Sequence, residues 1–539
     1  MRKISLLDCT LRDGGFLNDW NFGYHTINSI FRRLVKSNID IIEIGFIDDR
    51  RSFDKERSIN PSTKCFDEIL KNQSKGNAHI VGMIDFGTCS IDNISPKSES
   101  FIDGIRVIFK KKDMVKAIEF CHKIKEKGYK VYTNPVSITT YSDREMLDLV
   151  ELINGLEPAA MSLVDTYGLL HKDRLFRYFY LLDNNLKKDI AIGYHSHNNF
   201  QLAYSNSIEL LNIKTSRNII LDSSLYGMGK SAGNCNTELL AMYLNENFAK
   251  NYDMPEILNS IELDILKYTK EFVWGYQFSF YLSALNDCHP TYVKHLEKKN
   301  MLPIKDINAI LQKIDEDKKL SFNEAHIEAL YQEHLQNNVD DKAVYTKLSE
   351  MVADKPVLLL GPGISIKTQS EKIRNYIEQY NPIVMSVNHI NSIFSTDFVF
   401  ISNPKRFDQY QDSKLLYENK GKLIVTSNIQ DEDEKADFIL NWNGLKSSET
   451  IVGESALYIL IKALIKMNVN NVTLAGFDGF SRYAKNYYDK TQQFYLPLEN
   501  ISQITTAIIE QLAEFQKHIK IDFLTESSYA VKNEAVTNV

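Results

Sequence analysis

Short runs rich in isoleucine, valine and leucine recur through the first 230 residues, with longer helical patterns between them. The runs cover 4–12, 39–46, 79–84, 104–109, 130–135, 160–165, 190–196 and 218–223. Several are apolar at nearly every position, as parallel strands covered on both faces are. Eight strand-then-helix units in this length predict a (β/α)8 barrel; a doubly wound open sheet gives a similar spacing and is the alternative. Residues 231–352 are mostly helical in pattern. Ser321 and Glu324 have the spacing of a capping box opening a helix through about Leu335.

A second alternation begins near Lys355. Strands are predicted at 357–360, 383–387, 398–402, 423–426, 472–475 and 519–524, which reads as a separate open parallel sheet. The predicted organisation is an α/β chain: a barrel with a helical extension over 1–295, a helical connector over 296–353, a Rossmann-like α/β domain over 354–528 and a flexible tail over 529–539.

Composition narrows the function classes. The 539 residues are 43% hydrophobic and 25% charged, which excludes a largely disordered, collagen-like or coiled-coil chain. A net charge of −7 gives no electrostatic reason to expect nucleic acid or an acidic membrane as partner. The start reaches Asp8 too soon for a signal-peptide apolar region, and no run of apolar residues is long enough to span a membrane. The six cysteines are scattered without a Cys-x-x-Cys pair, so reduced thiols and a cytoplasmic location are expected.

Three segments combine polar chemistry with predicted strand ends. Asp8-Cys9-Thr10-Leu11-Arg12-Asp13-Gly14-Gly15 closes the first strand, and barrel enzymes carry their sites at carboxyl ends. An isolated Arg-Asp-Gly more often makes a surface ion pair at a turn. His195-Ser196-His197-Asn198-Asn199 ends the seventh strand; positions i and i+2 face one way, so two imidazoles can meet one metal ion. Gly227-Met228-Gly229-Lys230-Ser231-Ala232-Gly233-Asn234 follows the eighth strand and, alone, reads as a turn. In a closed barrel strand eight neighbours strands seven and one. Asp13, His195, His197 and Asn234 then converge on one sector of the rim, a sulfur-free set suited to Mn²⁺, Mg²⁺, Co²⁺ or Zn²⁺.

Taken in order, these three motifs resemble the DRE-TIM metallolyase superfamily, which includes hydroxymethylglutaryl-CoA lyase, isopropylmalate synthase and 4-hydroxy-2-oxovalerate aldolase. The resemblance covers about residues 1–300 and is greatest for the aldolase branch. It implies a barrel and a divalent ion at Asp13, His195 and His197, with Asn234 in or just outside the shell. It implies a 2-oxo acid substrate and an aldehyde partner, with Arg12 stabilising a developing enolate oxygen. Glu43 and Asp165, at the ends of strands two and six, are candidate substrate contacts or plain rim carboxylates. One departure stands out. In the aldolases a histidine follows the Arg-Asp pair by three to four residues; here those positions fall near Gly15 and Phe16, followed by Leu17 and Asn18. His289 and Tyr292 are the leading acid/base candidates in its place. His25 and Cys235 are weaker ones.

The second domain carries Gly361-Pro362-Gly363 after its first strand, with Asn388, Asn403 and Asp478 after later ones. In that order they resemble a Rossmann-like family related to bacterial sialyltransferases and 6-hydroxymethylpterin diphosphokinase. This resemblance implies a nucleotide or nucleotide-sugar site near Gly361, Gly363, Asn388, Asn403 and Asp478, and a bacterial surface-carbohydrate context. A degenerate scaffold or an oligomerisation domain is the alternative. For the whole chain the expected activity is a metal-dependent aldolase working through pyruvate enolate, in a homo-oligomer. An acyl-CoA-dependent Claisen lyase or synthase, or a silent barrel supporting a transferase domain, are the competing readings.

Overall fold

Eight parallel strands close into a ring: β1 (Ile4–Asp8), β2 (Ile41–Ile47), β3 (His79–Asp85), β4 (Gly104–Phe109), β5 (Lys130–Pro135), β6 (Ala160–Asp165), β7 (Ala191–Ser196) and β8 (Ile219–Ser223). Each pairs with the next. β1 pairs with β8 through Ile4 and Ile219 and with β2 through Leu7 and Ile41, which shuts the barrel. This computed structural model describes residues 2–299, 301–353, 355–411, 421–431, 433–480, 486–489 and 501–530. The nine residues 531–539 of the expected tail lie outside them.

Leu7, Ile41, Val81, Tyr132, Ala160, Ala191 and Ile220, from seven different strands, form one apolar layer across the barrel interior. Residues two apart on a strand share a face. Glu43 and Asp222 therefore lie above this layer and inside the barrel, as does His195, four residues beyond Ala191. Helices cover the outside. The first long one, Tyr24–Lys36, buries Ile27, Ile30, Phe31 and Leu34, the three-four spacing of a core-facing stripe.

The chain divides into two compact units, Met1–Pro290 and Thr291–Val539. The second holds a seven-stranded, all-parallel sheet: β9 (Val357–Leu360), β10 (Ile383–Val387), β11 (Phe398–Ile401), β12 (Lys422–Thr426), β13 (Phe438–Leu440), β14 (Asn471–Ala475) and β15 (Lys520–Phe523). The strand order is β13-β12-β11-β10-β9-β14-β15, so the direction of winding reverses between β9 and β14. Helices Ile304–Gln312, Glu324–Leu335 and Lys342–Val352 precede the sheet in the same unit, and Leu348 and Val352 join its core.

Two local expectations are corrected. The first strand stops at Asp8, because Asp8 Oδ1 accepts the Thr10 N–H at 2.9 Å and turns the chain into a short helix, Thr10–Asp13. The helix after residue 321 is capped by Asn323, whose side chain accepts from the His326 N–H, and not by Ser321. β13 was not anticipated: three residues are too few for an apolar run to show.

Candidate metal centre and barrel mouth

The turn after β1 buries Arg12 and Asp13, at 4% and 1% exposure. Its anchor is Trp20, whose indole N–H donates to the Arg12 carbonyl at 2.7 Å. From the end of β7, His195 and His197 reach the same point. Asp13 Oδ2 lies 3.6 Å from His195 Nε2 and 3.7 Å from His197 Nε2. One ligand atom from each of the three lies within 4.8 Å of the other two.

Each imidazole is held from behind. His195 Nδ1 is 3.0 Å from Asp222 Oδ2, and His197 Nδ1 donates to the Lys230 carbonyl at 3.1 Å. Hydrogen bonds of this kind fix the tautomer and leave Nε2 with its lone pair forward. Burial keeps His197 neutral, pushing it down to about 4. Burial would raise Asp13, but Arg12 and the two imidazoles outweigh it and hold the carboxyl well below the usual carboxylate range.

The fit to a divalent ion rests on orphaned atoms. Asp13 Oδ2 and Asn234 Oδ1 are buried without a hydrogen-bond partner among the described residues. A buried carboxylate oxygen with no donor is costly unless a cation is intended there. Asn234 enters through the glycine loop after β8, pairing with His197 as an isolated bridge. Gly229 admits it: a Cβ there would sit 2.3 Å from Asn234 Nδ2.

The remaining charges form a ring that the strand pattern did not reveal. Arg12 Nε donates to Glu43 Oε2 at 2.7 Å and Arg12 Nη1 meets Asp13 Oδ1 at 3.2 Å. Arg106 Nη1 donates to Glu43 Oε1 at 3.0 Å, and Arg106 Nη2 pairs with Asp222. The circuit Asp13–Arg12–Glu43–Arg106–Asp222–His195 thus closes on itself. Arg106 and Asp222, missed in the sequence, had one available signal: a lone charge inside an otherwise apolar strand, at interior parity.

Other nominated residues are placed elsewhere. Glu43 is fully buried with both oxygens taken by arginines, so it positions guanidinium groups and does not face substrate. Asp165 is paired in register with Ser196, whereas its neighbour Val164 is paired with His195. Asp165 therefore lies on the outer face, where it accepts the N–H groups of Leu169 and Leu170 at 2.7 and 3.0 Å. Burial pushes it up to about 6. Tyr292 belongs to the second unit, fully buried; its hydroxyl lies 2.9 Å from the carbonyls of Lys318 and Ser321 and accepts from the Asn323 N–H. These contacts make it a packing residue. His289 is half-buried just beyond the helix Phe278–Leu285, and that helix meets the rim where Asn199 Nδ2 donates to the Phe280 carbonyl at 3.2 Å. His25 is exposed on the first long helix, and burial pushes the Cys235 thiol up to about 12, so it carries no thiolate.

In the second unit the expected phosphate cradle is already filled. The Gly361 and Gly363 N–H groups donate to the carbonyls of Ala475 and Gly476. A Cβ at either glycine would fall within 2.5 Å of the Gly476 oxygen, so close strand-end packing accounts for both. The Asp478 carboxylate takes the Ser365 N–H at 2.8 Å, the position a phosphate would need. Asn388 accepts from the Ser402 N–H, and Asn403 caps helix Pro404–Tyr410. A cavity of about 760 Å³ nevertheless opens here, with Gly363, Asn388, Asn403, Asp478 and Arg406 in its wall.

The closed parallel barrel brings one carboxylate and two imidazoles together at its carboxyl rim, a set that could hold a metal ion. Residues 3–263 match the HMGL-like family, and this part of the chain is an HMGL-like domain of the DRE-TIM type. Oxaloacetate decarboxylase of Mycobacterium tuberculosis is 22% identical over 268 residues, 49% of this chain and 77% of that one. A 4-hydroxy-2-oxovalerate aldolase of Geobacillus genomosp. 3 is 23% identical over 267 residues, 48% and 76% of the two chains. A 2-isopropylmalate synthase of Bacillus velezensis is 26% identical over 287 residues, 51% and 52%. Among the described residues no helix is long and apolar enough to cross a membrane.

Proposed function

We propose that the barrel is a divalent-metal-dependent carbon–carbon lyase of the aldolase kind, cleaving or forming a 4-hydroxy-2-oxo acid through pyruvate enolate. The observation that carries this reading is the orphaned Asp13 Oδ2 facing two imidazoles fixed from behind. Two relatives named for oxaloacetate and for 4-hydroxy-2-oxovalerate support it, because breaking the C3–C4 bond of either compound leaves charge beside the same 2-oxo group. Asp13, His195 and His197, with Asn234 as a further oxygen donor, would hold the ion, and Mn²⁺, Mg²⁺, Co²⁺ and Zn²⁺ all suit such a set. The ion supplies Lewis acidity toward the 2-oxo group. Arg12, clamped by Glu43, keeps a fixed positive charge at the rim that needs no reorganisation as an oxyanion develops. Phe16 has no proton to exchange, so His289 is the acid/base candidate that this reading retains.

Pyruvate in D₂O tests the reading without the unknown aldehyde. Metal-loaded protein should exchange the methyl protons for deuterium, read by proton NMR, and chelator should stop the exchange. Absence of exchange in metal-loaded protein would overturn it. A second reading, Claisen chemistry on an acyl-CoA, is favoured by Phe16 and by the likeness to a synthase; it predicts exchange on the acyl group in place of pyruvate.

For the second unit we propose a nucleotide or nucleotide-sugar ligand, which would fit work on surface carbohydrate. Support comes from the cavity at the point where the strand order reverses, the usual ligand crevice of open parallel sheets. Calorimetry with nucleotides and nucleotide sugars should give binding heat; none with either class would remove this part.

A further inference from the structure

Lys230 is an ammonium group at the metal rim for which the ring of charges has no use. Its backbone carbonyl holds His197, while its side chain runs on to place Nζ 5.5 Å from the centre of the Phe16 ring. Phe16 is half-exposed at the mouth and is backed by Trp20 and Phe46 at ring distances of 4.8 and 6.0 Å. An aromatic face stabilises a cation without neutralising it. No carboxylate pairs with Lys230 among the described residues; the groups whose fields reach it are Asp13, Asp85 and Lys110.

Arg12, Arg106 and Lys230 stand against Asp13, Glu43 and Asp222, three against three. A divalent ion on neutral imidazoles brings the buried site to a net charge of about +2. The enolate of a 2-oxo acid carries two negative charges, one on its carboxylate and one on its enolate oxygen. Arg12 and Arg106 are each paired with two protein carboxylates. Of these three cations, Lys230 is the one paired with no carboxylate among the described residues.

We propose that Lys230 binds the carboxylate of the 2-oxo acid, a specificity role in which the Phe16 ring is its aromatic support. This rests on the 2-oxo acid reading above. The test uses oxalate, a non-reacting dianion shaped like the carboxylate and enolate oxygens together, titrated calorimetrically into Mn²⁺-saturated full-length protein. Lys230→Met should weaken oxalate roughly 10–100-fold, the loss of one charge-assisted hydrogen bond, while Mn²⁺ affinity stays within about threefold. Lys230→Arg should recover most of the oxalate binding. Oxalate affinity within twofold of the native value in Lys230→Met would overturn the proposal. Parallel loss of Mn²⁺ and oxalate would also overturn it, by making Lys230 a support for the loop. Native protein that takes Mn²⁺ but no oxalate would instead overturn the 2-oxo acid reading, and this proposal with it.

Discussion

Replacing Asp13 by alanine is expected to lower metal-dependent pyruvate proton exchange by roughly a thousandfold or more, since it removes a ligand and with it the electrostatic stabilisation of the enolate. The fold should survive. Arg12 keeps Glu43 as partner at 2.7 Å, and Asp13 Oδ2 gives up no hydrogen bond when it is deleted. The second readout is thermal. Native protein at a hundredfold excess of Mn²⁺ over Kd should gain about 2.7 kcal/mol of stability, and the variant should gain almost none. Acid provides a third. Despite burial, Arg12 and the imidazoles hold the folded Asp13 carboxyl below the unfolded value of about 3.9. Its contribution is therefore present above that pH and is lost as pH falls through the folded value. Urea unfolding of the two metal-free proteins should show the native advantage narrowing below about pH 4. Undiminished exchange in Asp13→Ala would remove Asp13 from the metal set.

Arg106→Leu is expected to cost about 3–5 kcal/mol, a large share of the stability of an ordinary domain. Arg106 is 1% exposed and bridges Glu43 and Asp222, themselves at 0% and 1%. Its removal leaves two carboxylates in a site closed to water, one of them without its only arginine. Leucine fills much of the space, so the loss is electrostatic and not a cavity. The effect should reach the metal, because Asp222 orients His195, and loss of such support typically weakens metal binding about 10–100-fold. Arg106→Lys should fall between, since a single ammonium cannot fork to both carboxylates. Chemical denaturation and a Mn²⁺ titration measure both effects. A loss under about 1 kcal/mol would mean that Glu43 or Asp222 takes up a proton once the arginine is gone.

Much of the fold was legible because its strands are covered on both faces and so read as apolar runs. All eight barrel strands fall on predicted runs, and six of the seven strands of the second sheet do. Asp13, His195 and His197 were legible because each ends or follows such a run, and a closed barrel brings those ends together. What was not legible depended on parity and on partners. Asp165 ends its strand as His195 does, yet lies one position out of phase with it and faces away. Tyr292 has an aldolase-like setting in sequence, but its hydroxyl is consumed by backbone groups 26 and 29 residues on. The Gly361-Pro362-Gly363 turn suggests a phosphate cradle, whereas its N–H groups are already spent and Asp478 occupies the anion position.

Hydrophobic periodicity by itself determined two α/β units and the rim on which the candidate metal centre lies, because burial of apolar runs is a local property summed along the chain. Which charges neutralise one another was decided only by the tertiary structure. Glu43, Arg106 and Asp222 come from three separate strands, and whether a buried carboxylate meets a substrate, a metal or an arginine depends on distances of a few ångströms across the barrel. Coulomb energies in a dry interior change steeply over that range. Spacing along the chain does not encode it.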